Sequence, residues 1–304
     1  MIYKKRNVSH NYAVLKMLTE RGIFTGEDYE QLNRQLKGLE GERDFDQWTE
    51  KLPEDFLVLN DLYLRPLYEV SQQIDSVIIY GDCLYLYEIK NYSGRYIYSD
   101  QLLTSCVGRY QIPNPVLQLR QKEQTLWAVL ENLDLRMRIE SYVVFINPHF
   151  FLYELPMSPP IIFLGMIEEH LKKMSTQQGR EKNWRQRNIY LAEHLASVHQ
   201  DDLFYENFIP EVEMSELRRG LHCPNCFSLD LHILHKSVIC EKCEKSYDKI
   251  QVVEKNISVL SYAFYREKLT VHTLQELLDY QVSRATVYKA LSGRRRNNKF
   301  YHKG

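Results

Sequence analysis

The chain of 304 residues lacks a long hydrophobic run and carries little net charge. Its longest apolar run, residues 161–167, is much shorter than the ~18–20 residues that cross a bilayer. The first ten residues lack the apolar segment of a signal peptide. Lysine and arginine number 39 against 40 aspartates and glutamates, so the formal net charge is −1, which argues against a protein that coats nucleic acid uniformly. These absences predict a cytoplasmic protein with no membrane partner.

Cysteine is also scarce, with six residues in the whole chain. Four of the cysteines form two Cys-x-x-Cys pairs, Cys223 with Cys226 and Cys240 with Cys243, separated by thirteen residues. Without a secretion signal, such pairs favour a metal site over disulfides. The remaining two, Cys83 and Cys106, are expected to be reduced, small and partly buried.

The two pairs predict a structural zinc site. Two Cys-x-x-Cys turns can present four thiolates to one tetrahedral Zn²⁺, and four sulfur ligands leave no open position for catalysis. Between the pairs, Leu229, Leu231 and Ile233 alternate as the first arm of a hairpin should. Two redox dithiols are the alternative, disfavoured because neither pair lies in a βαβ context. The segment resembles a zinc ribbon, whose folding depends largely on the metal.

A second pattern lies in residues 72–94, where two apolar runs flank Gly81-Asp82. That dipeptide is typical of a two-residue β-hairpin turn. If the turn is tight, Asp75 lies directly opposite Glu88. Because side chains alternate along a strand, both carboxylates share a face with four apolar residues, Val77, Ile79, Leu84 and Leu86.

Two facing carboxylates predict a cation site. Cross-strand neighbours lie roughly 4.5–5.5 Å apart at Cβ, where like charges repel. Lys90, two residues after Glu88, emerges on the same face, about 6–7 Å along the strand. Carboxylates suit Mg²⁺ or Mn²⁺, and a metal with a nearby lysine can activate water and neutralise charge on a phosphoryl group. A surface ion pair is the alternative, but the apolar neighbours of these charges disfavour it.

The spacing of Asp75, Glu88 and Lys90 resembles the PD-(D/E)XK nuclease signature, although Ile74 stands where that motif has proline. The longer string IDSVIIYGDCLYLYEIKNYSG looks like the nuclease-related domain (NERD) of that superfamily, and the resemblance covers residues 36–155. It implies that Glu42, in a Gly41-Glu42 pair, is an outer metal ligand or orients water. It also implies that Gln118, in the segment Asn114-Pro115-x-x-Gln118, positions substrate or a metal-bound water. On their own, a glutamate in a first helical turn and a glutamine on a helix are uninformative.

The expected fold is α/β: a restriction-endonuclease-like core with a mixed sheet flanked by helices, then a zinc ribbon and a helical hairpin. The predicted order in the core is helix–β–β–β–helix–β, with a buried strand over residues 141–147. The predicted divisions are N-terminal helices (1–35), which are expected to pack on the core; the nuclease-like domain (36–155); a helical connector (156–218); the ribbon (219–258); and a basic tail (262–304). Within the connector, the basic run 180–187 is either a nucleic-acid contact or, more commonly, a solvated helix face.

The tail predicts two short helices across a tight turn, with Ser283 capping the second and Gly293 ending it. This pattern looks like a helix-turn-helix. In that geometry, the residues that face base edges are Arg284, Thr286 and Lys289. Residues 261–304 contain nine Lys and Arg against three Asp and Glu. Four of these basic residues are expected to contact phosphates: Arg294, Arg295, Arg296 and Lys299. A plain helical hairpin with a solvated basic tail remains the alternative.

Together these features predict a metal-dependent nuclease that hydrolyses DNA. Asp75 and Glu88 would hold Mg²⁺ or Mn²⁺, Lys90 would activate water, and Glu42 and Gln118 would assist. DNA is the expected partner, with no small-molecule cofactor. One alternative keeps the fold without catalysis, as a DNA-binding or regulatory protein, and another acts on RNA.

Overall fold

The computed structural model describes residues 1–6, 10–21, 26–64, 72–176, 183–199, 213–264 and 267–297. It divides the chain into two compact units, residues 1–7 with 35–203 and residues 8–34 with 204–304. In the described part of the chain, no helix combines the length and the apolar character that a membrane span requires.

The first unit is built on a six-stranded mixed sheet. Its strands, in spatial order, are β1 (Ile2–Lys4), β2 (Leu57–Leu64), β3 (Gln72–Tyr80), β4 (Cys83–Lys90), β8 (Arg138–Phe145) and β10 (Ile161–Phe163). β2, β3 and β4 pair antiparallel, whereas β8 runs parallel to β4 and to β10. β8 is therefore an interior strand, as its continuous apolar sequence predicts.

A second sheet of four strands, not predicted from the sequence, follows β4. It contains β7 (Gln111–Pro113), β6 (Leu102–Ser105), β5 (Gly94–Tyr98) and β9 (Phe150–Tyr153) in that order. Its strands are short, and three of their buried residues pack into the core of the unit: Tyr96, Leu103 and Phe150.

Helices cover both faces of the large sheet. Val77 and Ile79 of β3 and Leu84 and Leu86 of β4 pack with α3 (Pro115–Asn132) and α5 (Trp184–Val198). The residues on the other face of these strands, such as Ile78 and Tyr85, pack with α2 (Glu27–Thr49) and α4 (Ile167–Met174). This two-sided burial confirms a mixed sheet flanked by helices, and it confirms that Val77, Ile79, Leu84 and Leu86 share one face.

Two sequence expectations for this unit need correction. Residues 27–49 form one helix, not two, because the chain continues helically through Gly38 and Gly41. Residues 156–218 are predicted as a helical connector, yet β10 is an edge strand of the sheet and α5 packs in its core. The helices expected in this segment are present, as α4 (Ile167–Met174) and α5 (Trp184–Val198).

The second unit combines a small sheet with helices around one core. The sheet contains β11 (Leu231–Ile233), β12 (Ser237–Cys240) and β13 (Ser246–Asp248). The helices are α1 (His10–Glu20), α6 (Lys249–Ala263), α7 (Val271–Leu277) and α8 (Arg284–Asn297). One apolar cluster joins them, with members such as Leu221 before the sheet, Val238 in it, Leu260 on α6 and Val287 on α8.

The expectation that the first helix packs on the nuclease-like core is wrong. Val14, Met17 and Leu18 of α1 belong to the core of the second unit, because these apolar residues meet the apolar face of α6. The expected stop at Gly293 is also wrong, since α8 continues to Asn297.

Candidate metal and phosphodiester site

The β3–β4 hairpin places Asp75 and Glu88 side by side. Gly81 adopts a φ of +58°, which a tight turn requires, and Tyr80 pairs with Cys83. The pairing continues in the same register to the fifth pair, after which Asp75 and Glu88 are the next residues in line. The predicted register is therefore confirmed for residues 76–80 with residues 83–87. Both carboxylates are buried, at 6% and 2% exposure.

A lysine missed by sequence reasoning joins the two carboxylates. Lys122 Nζ lies 3.1 Å from Asp75 Oδ1 and also contacts Glu88 Oε2. Lys122 lies on α3, whose Leu119 and Leu126 are buried against the sheet. The available signal is its position four residues after Gln118, because residues i and i+4 share a helix face.

The remaining carboxylate oxygens also have partners. Asp75 Oδ2 accepts a hydrogen bond of 2.7 Å from the backbone N–H of Ile89, and Glu88 Oε1 lies 2.6 Å from Lys90 Nζ. Burial opposes ionisation of Asp75, but the charges of Lys122 and Lys90, with this N–H, hold its pKa below the usual value. Two carboxylates and two ammonium groups therefore form one compact charged cluster.

Lys90 remains a cation in this cluster. Burial by itself would lower the pKa of its ammonium, but the negative charges of Glu88, Tyr92 and Asp75, with the hydrogen bond to Glu88, together outweigh burial and raise the pKa. A protonated lysine suits charge neutralisation and the orientation of water better than proton abstraction.

Glu42 lies beside this cluster but faces a different cation. Arg6 donates to Glu42 Oε2 at 2.5 Å, to Asp46 Oδ1 at 3.0 Å and to the backbone carbonyl of Asp75 at 2.9 Å. Burial, followed by the charge of Asp75, raises the pKa of Glu42 to about 8. Glu42 can therefore exchange a proton near neutral pH.

Gly41 explains why Glu42 comes so close. A Cβ at this position would lie 2.6 Å from Asn91 Cβ and 3.0 Å from Ile146 Cγ2. Asn91 Nδ2 also donates to the carbonyl of Lys37 on the same helix, at 2.8 Å. Glycine therefore permits a close approach of α2 to Asn91, which directly follows β4, the strand that carries Glu88.

Asp61 is a further buried carboxylate that the sequence reasoning did not single out. It lies between the pairs Asn60–Ser76 and Leu62–Ile74, opposite Asp75, and has a φ of +57°. Gln73 Nε2 donates to Asp61 Oδ1 at 3.1 Å, and burial raises the pKa of this carboxyl.

The segment from Asn114 to Gln118 begins α3. The Asn114 side chain caps the helix by accepting from the N–H of Val116 at 3.0 Å, and Pro115 occupies the first turn. Gln118 is exposed, one turn before Lys122, and Lys122 is the residue of α3 that reaches the carboxylates.

The donor set of the hairpin fits a divalent ion such as Mg²⁺. Asp75 and Glu88 are hard oxygen ligands, and a metal bound between them would supply a Lewis acid and an activated water. Lys122 contacts one oxygen of each carboxylate, Asp75 Oδ1 and Glu88 Oε2.

The four cysteines of the ribbon come together as predicted. The Sγ atoms of Cys223, Cys226, Cys240 and Cys243 all lie within 4.8 Å of one another. Cys223 and Cys243 are 3.7 Å apart at sulfur, and Cys226 and Cys240 are 3.5 Å apart. A tetrahedral Zn²⁺ with Zn–S bonds of about 2.3 Å needs sulfur atoms roughly 3.8 Å apart, so this cluster fits zinc.

In α8, Ser283 caps the helix by accepting from the N–H of Thr286 at 3.2 Å. Arg284 and Lys289 are exposed, Thr286 is half-buried, and the Arg284 guanidinium lies 5.7 Å from the centre of the Tyr288 ring. The side chains of Arg294, Arg295 and Arg296, and the whole of Lys299, lie outside the described residues.

The geometry of the hairpin agrees with a comparison against known families. Residues 37–146 match the family model of the nuclease-related domain, NERD. The chain carries a NERD domain. This domain contains the predicted site residues Glu42, Asp75, Glu88, Lys90 and Gln118, and also Lys122. No curated protein and no solved structure matches the chain.

Proposed function

We propose that the NERD domain hydrolyses phosphodiester bonds of DNA with the help of Mg²⁺ or Mn²⁺. The observation that carries this proposal is the buried pair Asp75 and Glu88, facing each other across a hairpin with Lys90 at 2.6 Å from Glu88. A binding surface has no physical need for two facing buried carboxylates, whereas a metal site does.

Each residue of the candidate site has a role in this proposal. Asp75 and Glu88 hold the metal, and Lys90, as a buried cation, orients the attacking water and neutralises charge on the phosphoryl oxygens. Glu42, with its pKa near neutrality, accepts or returns a proton at its carboxylate. Gln118, exposed at the start of α3, orients substrate.

The second unit is proposed to deliver DNA. The zinc-bound ribbon supports α6, α7 and α8, and α8 presents Arg284, Thr286 and Lys289 to DNA in the manner of a recognition helix. Arg294, Arg295 and Arg296 add three basic residues to the same helix and would contact phosphates.

The test is cleavage of linear, supercoiled and single-stranded DNA, and of RNA, with Mg²⁺, Mn²⁺ or EDTA. Glu88→Gln and Lys90→Met should each lower metal-dependent cleavage by at least about 100-fold, because each removes a group that acts on the reacting phosphate. The matched control is Lys172→Met, which also breaks a Lys–Glu pair but at the surface, where the Lys172 side chain is 73% exposed. Cleavage that survives both site variants contradicts the proposal, and faster cleavage of RNA would change the substrate to RNA.

A non-catalytic DNA-binding protein is the second candidate. The specific observation in its favour is that all four oxygens of Asp75 and Glu88 already contact a lysine or an N–H group. Salt-dependent DNA binding that ignores Mg²⁺, with no cleavage of any substrate, would select this alternative.

A further inference from the structure

The Lys122 ammonium and a divalent ion would compete for the same position between the carboxylates of Asp75 and Glu88. The ammonium contacts one oxygen of each carboxylate, Asp75 Oδ1 and Glu88 Oε2, and lies between them. Mg²⁺ binds its ligand oxygens at about 2.0–2.1 Å, so an ion on this pair would overlap Nζ. Two positive charges at such a distance also repel strongly. These two oxygens therefore accept either the ammonium or the metal.

The outer oxygens leave no equivalent alternative. Asp75 Oδ2 is engaged by the N–H of Ile89, which cannot move without opening β4. Glu88 Oε1 is engaged by Lys90. An ion that bridges the pair without moving the backbone must therefore use the oxygens that Lys122 holds.

The Lys122 side chain can leave, although its backbone is fixed. α3 is capped at Asn114 and anchored by buried Leu119 and Leu126, so the helix itself is held on the sheet. A lysine has four rotatable side-chain bonds, and helical side chains lean toward the preceding turn. That turn carries the exposed Gln118, which gives the ammonium a route to solvent or to a phosphate of the substrate.

We propose that Lys122 is a tethered cation that occupies the metal position between Asp75 and Glu88 and leaves it when a divalent ion binds. This inference rests on the proposed metal-dependent function and adds a residue that sets the metal affinity. Without metal, Lys122 keeps two buried carboxylates paired. With metal, the released ammonium lies next to the bound substrate.

The first test measures Mn²⁺ binding by electron paramagnetic resonance in the absence of nucleic acid. The protein is first saturated with zinc at its cysteine cluster. Only binding that Glu88→Gln abolishes is counted. Lys122→Met should bind Mn²⁺ at least about tenfold more tightly than wild type, because the ion no longer competes with a charge on its own ligands. Lys90→Met removes the same charge from one outer oxygen and should produce a smaller gain.

Equal affinity in wild type and Lys122→Met, or equal gains in Lys122→Met and Lys90→Met, would overturn the proposal. Mn²⁺ that binds to none of the proteins would overturn both this proposal and the metal-dependent function. Metal-dependent DNA cleavage that Glu88→Gln abolishes would preserve the function even if the Lys122 proposal fails.

A second test uses wild type alone, since Lys122→Met leaves two buried carboxylates short of a partner and can destabilise the domain. Lysines are acetylated with and without saturating Mn²⁺, and the rate at each lysine is read by peptide mass spectrometry. Lys122 should react several-fold faster with Mn²⁺, whereas exposed Lys172 should not change. An unchanged rate at Lys122 under saturating Mn²⁺ would overturn the proposal.

Discussion

The pKa values of two neighbouring carboxyl groups in the NERD domain are shifted in opposite directions by their surroundings. Both Asp75 and Glu42 lie in an environment that opposes charge. Asp75 has Lys122, Lys90 and a backbone N–H as partners, so its pKa is lowered. Glu42 has Asp75 as a negative neighbour, and its pKa is raised to about 8. Pairs of this kind separate a permanent anion from a group that exchanges protons, which is the division of roles that hydrolysis needs.

Outside the site, His170 provides a pH-dependent test of burial. Its Nε2 lies 2.9 Å from Tyr87 Oη, and burial lowers its pKa to about 4 from a model-peptide value of 6.5. The unfolded chain therefore binds the extra proton between pH 6.5 and pH 4. The stability contributed by neutral His170 is complete above pH 6.5 and is lost as the pH falls toward 4.

His170→Gln keeps a polar partner for Tyr87 but cannot titrate. Between pH 7 and pH 4, wild type should lose roughly 1–3 kcal/mol more unfolding free energy than His170→Gln. Urea unfolding of both proteins across this range measures the difference. Identical pH slopes would contradict a buried neutral histidine.

Among the secondary-structure elements, α2 owes its close packing to one glycine. A Cβ at Gly41 meets Asn91 at 2.6 Å, whereas nothing lies within 4 Å of a Cβ at Gly38. Both residues lie inside the same helix, where alanine is intrinsically favoured over glycine by about 1 kcal/mol. The packing of α2 on β4 therefore requires glycine at position 41 but not at position 38.

Gly41→Ala should destabilise the first unit by about 1–3 kcal/mol, since overpacking outweighs helix propensity. Gly38→Ala is the control and should be neutral or stabilising by up to about 1 kcal/mol. Thermal unfolding of the two variants decides the point. Equal stabilisation by both would mean that α2 does not approach Asn91 closely.

α8 supports a prediction about nucleic acid. Lys289 is exposed, so Lys289→Ala should leave the fold intact. If Lys289 faces a base edge as proposed, Lys289→Ala should weaken duplex binding, and loss of its charge near the phosphates should decrease the slope of log affinity against log salt by up to about one. Fluorescence anisotropy of a labelled duplex at several salt concentrations measures this slope, and exposed Lys172 provides the matched alanine control. An unchanged slope would remove Lys289 from the interface.

At the scale of the whole molecule, the ribbon and the C-terminal helices fold as one unit. Gly220 N–H donates to the carbonyl of Leu277 at 2.9 Å, and Leu221 N–H donates to Gln281 Oε1 at 2.8 Å. Asn256 of α6 exchanges two hydrogen bonds with the backbone of His222, beside the first cysteine. The cysteine cluster therefore supports α6 and the α7–α8 connection, as well as its own hairpin.

Removal of zinc, or Cys240→Ser, should lower the unfolding temperature of the second unit and leave that of the first nearly unchanged, because each unit has its own core. Differential scanning calorimetry with and without chelator separates the two transitions. Cys106→Ser, at an exposed cysteine outside the cluster, is the control and should change neither. A shift of both transitions by the chelator would contradict independent cores.

The sequence by itself determined the local features. The Gly81-Asp82 turn and a period of two fix which residues of β3 and β4 face each other, so Asp75, Glu88 and Lys90 could be placed together without a structure. The spacing of the cysteines and the Ser283 cap are local in the same sense. These signals lie within a few residues or across one tight turn, where backbone geometry leaves few choices.

Only the tertiary structure decided what reaches this hairpin from elsewhere. Lys122 lies on α3, Asp61 on β2 and Arg6 just after β1, and no spacing along the chain relates them to Asp75. The same holds for α1, whose apolar stripe fits many surfaces and which packs on α6, 230 or more residues further on. The hydrophobic effect is not directional, so an apolar sequence pattern shows that a face is buried. Only the packing of the complete chain decides which surface covers that face.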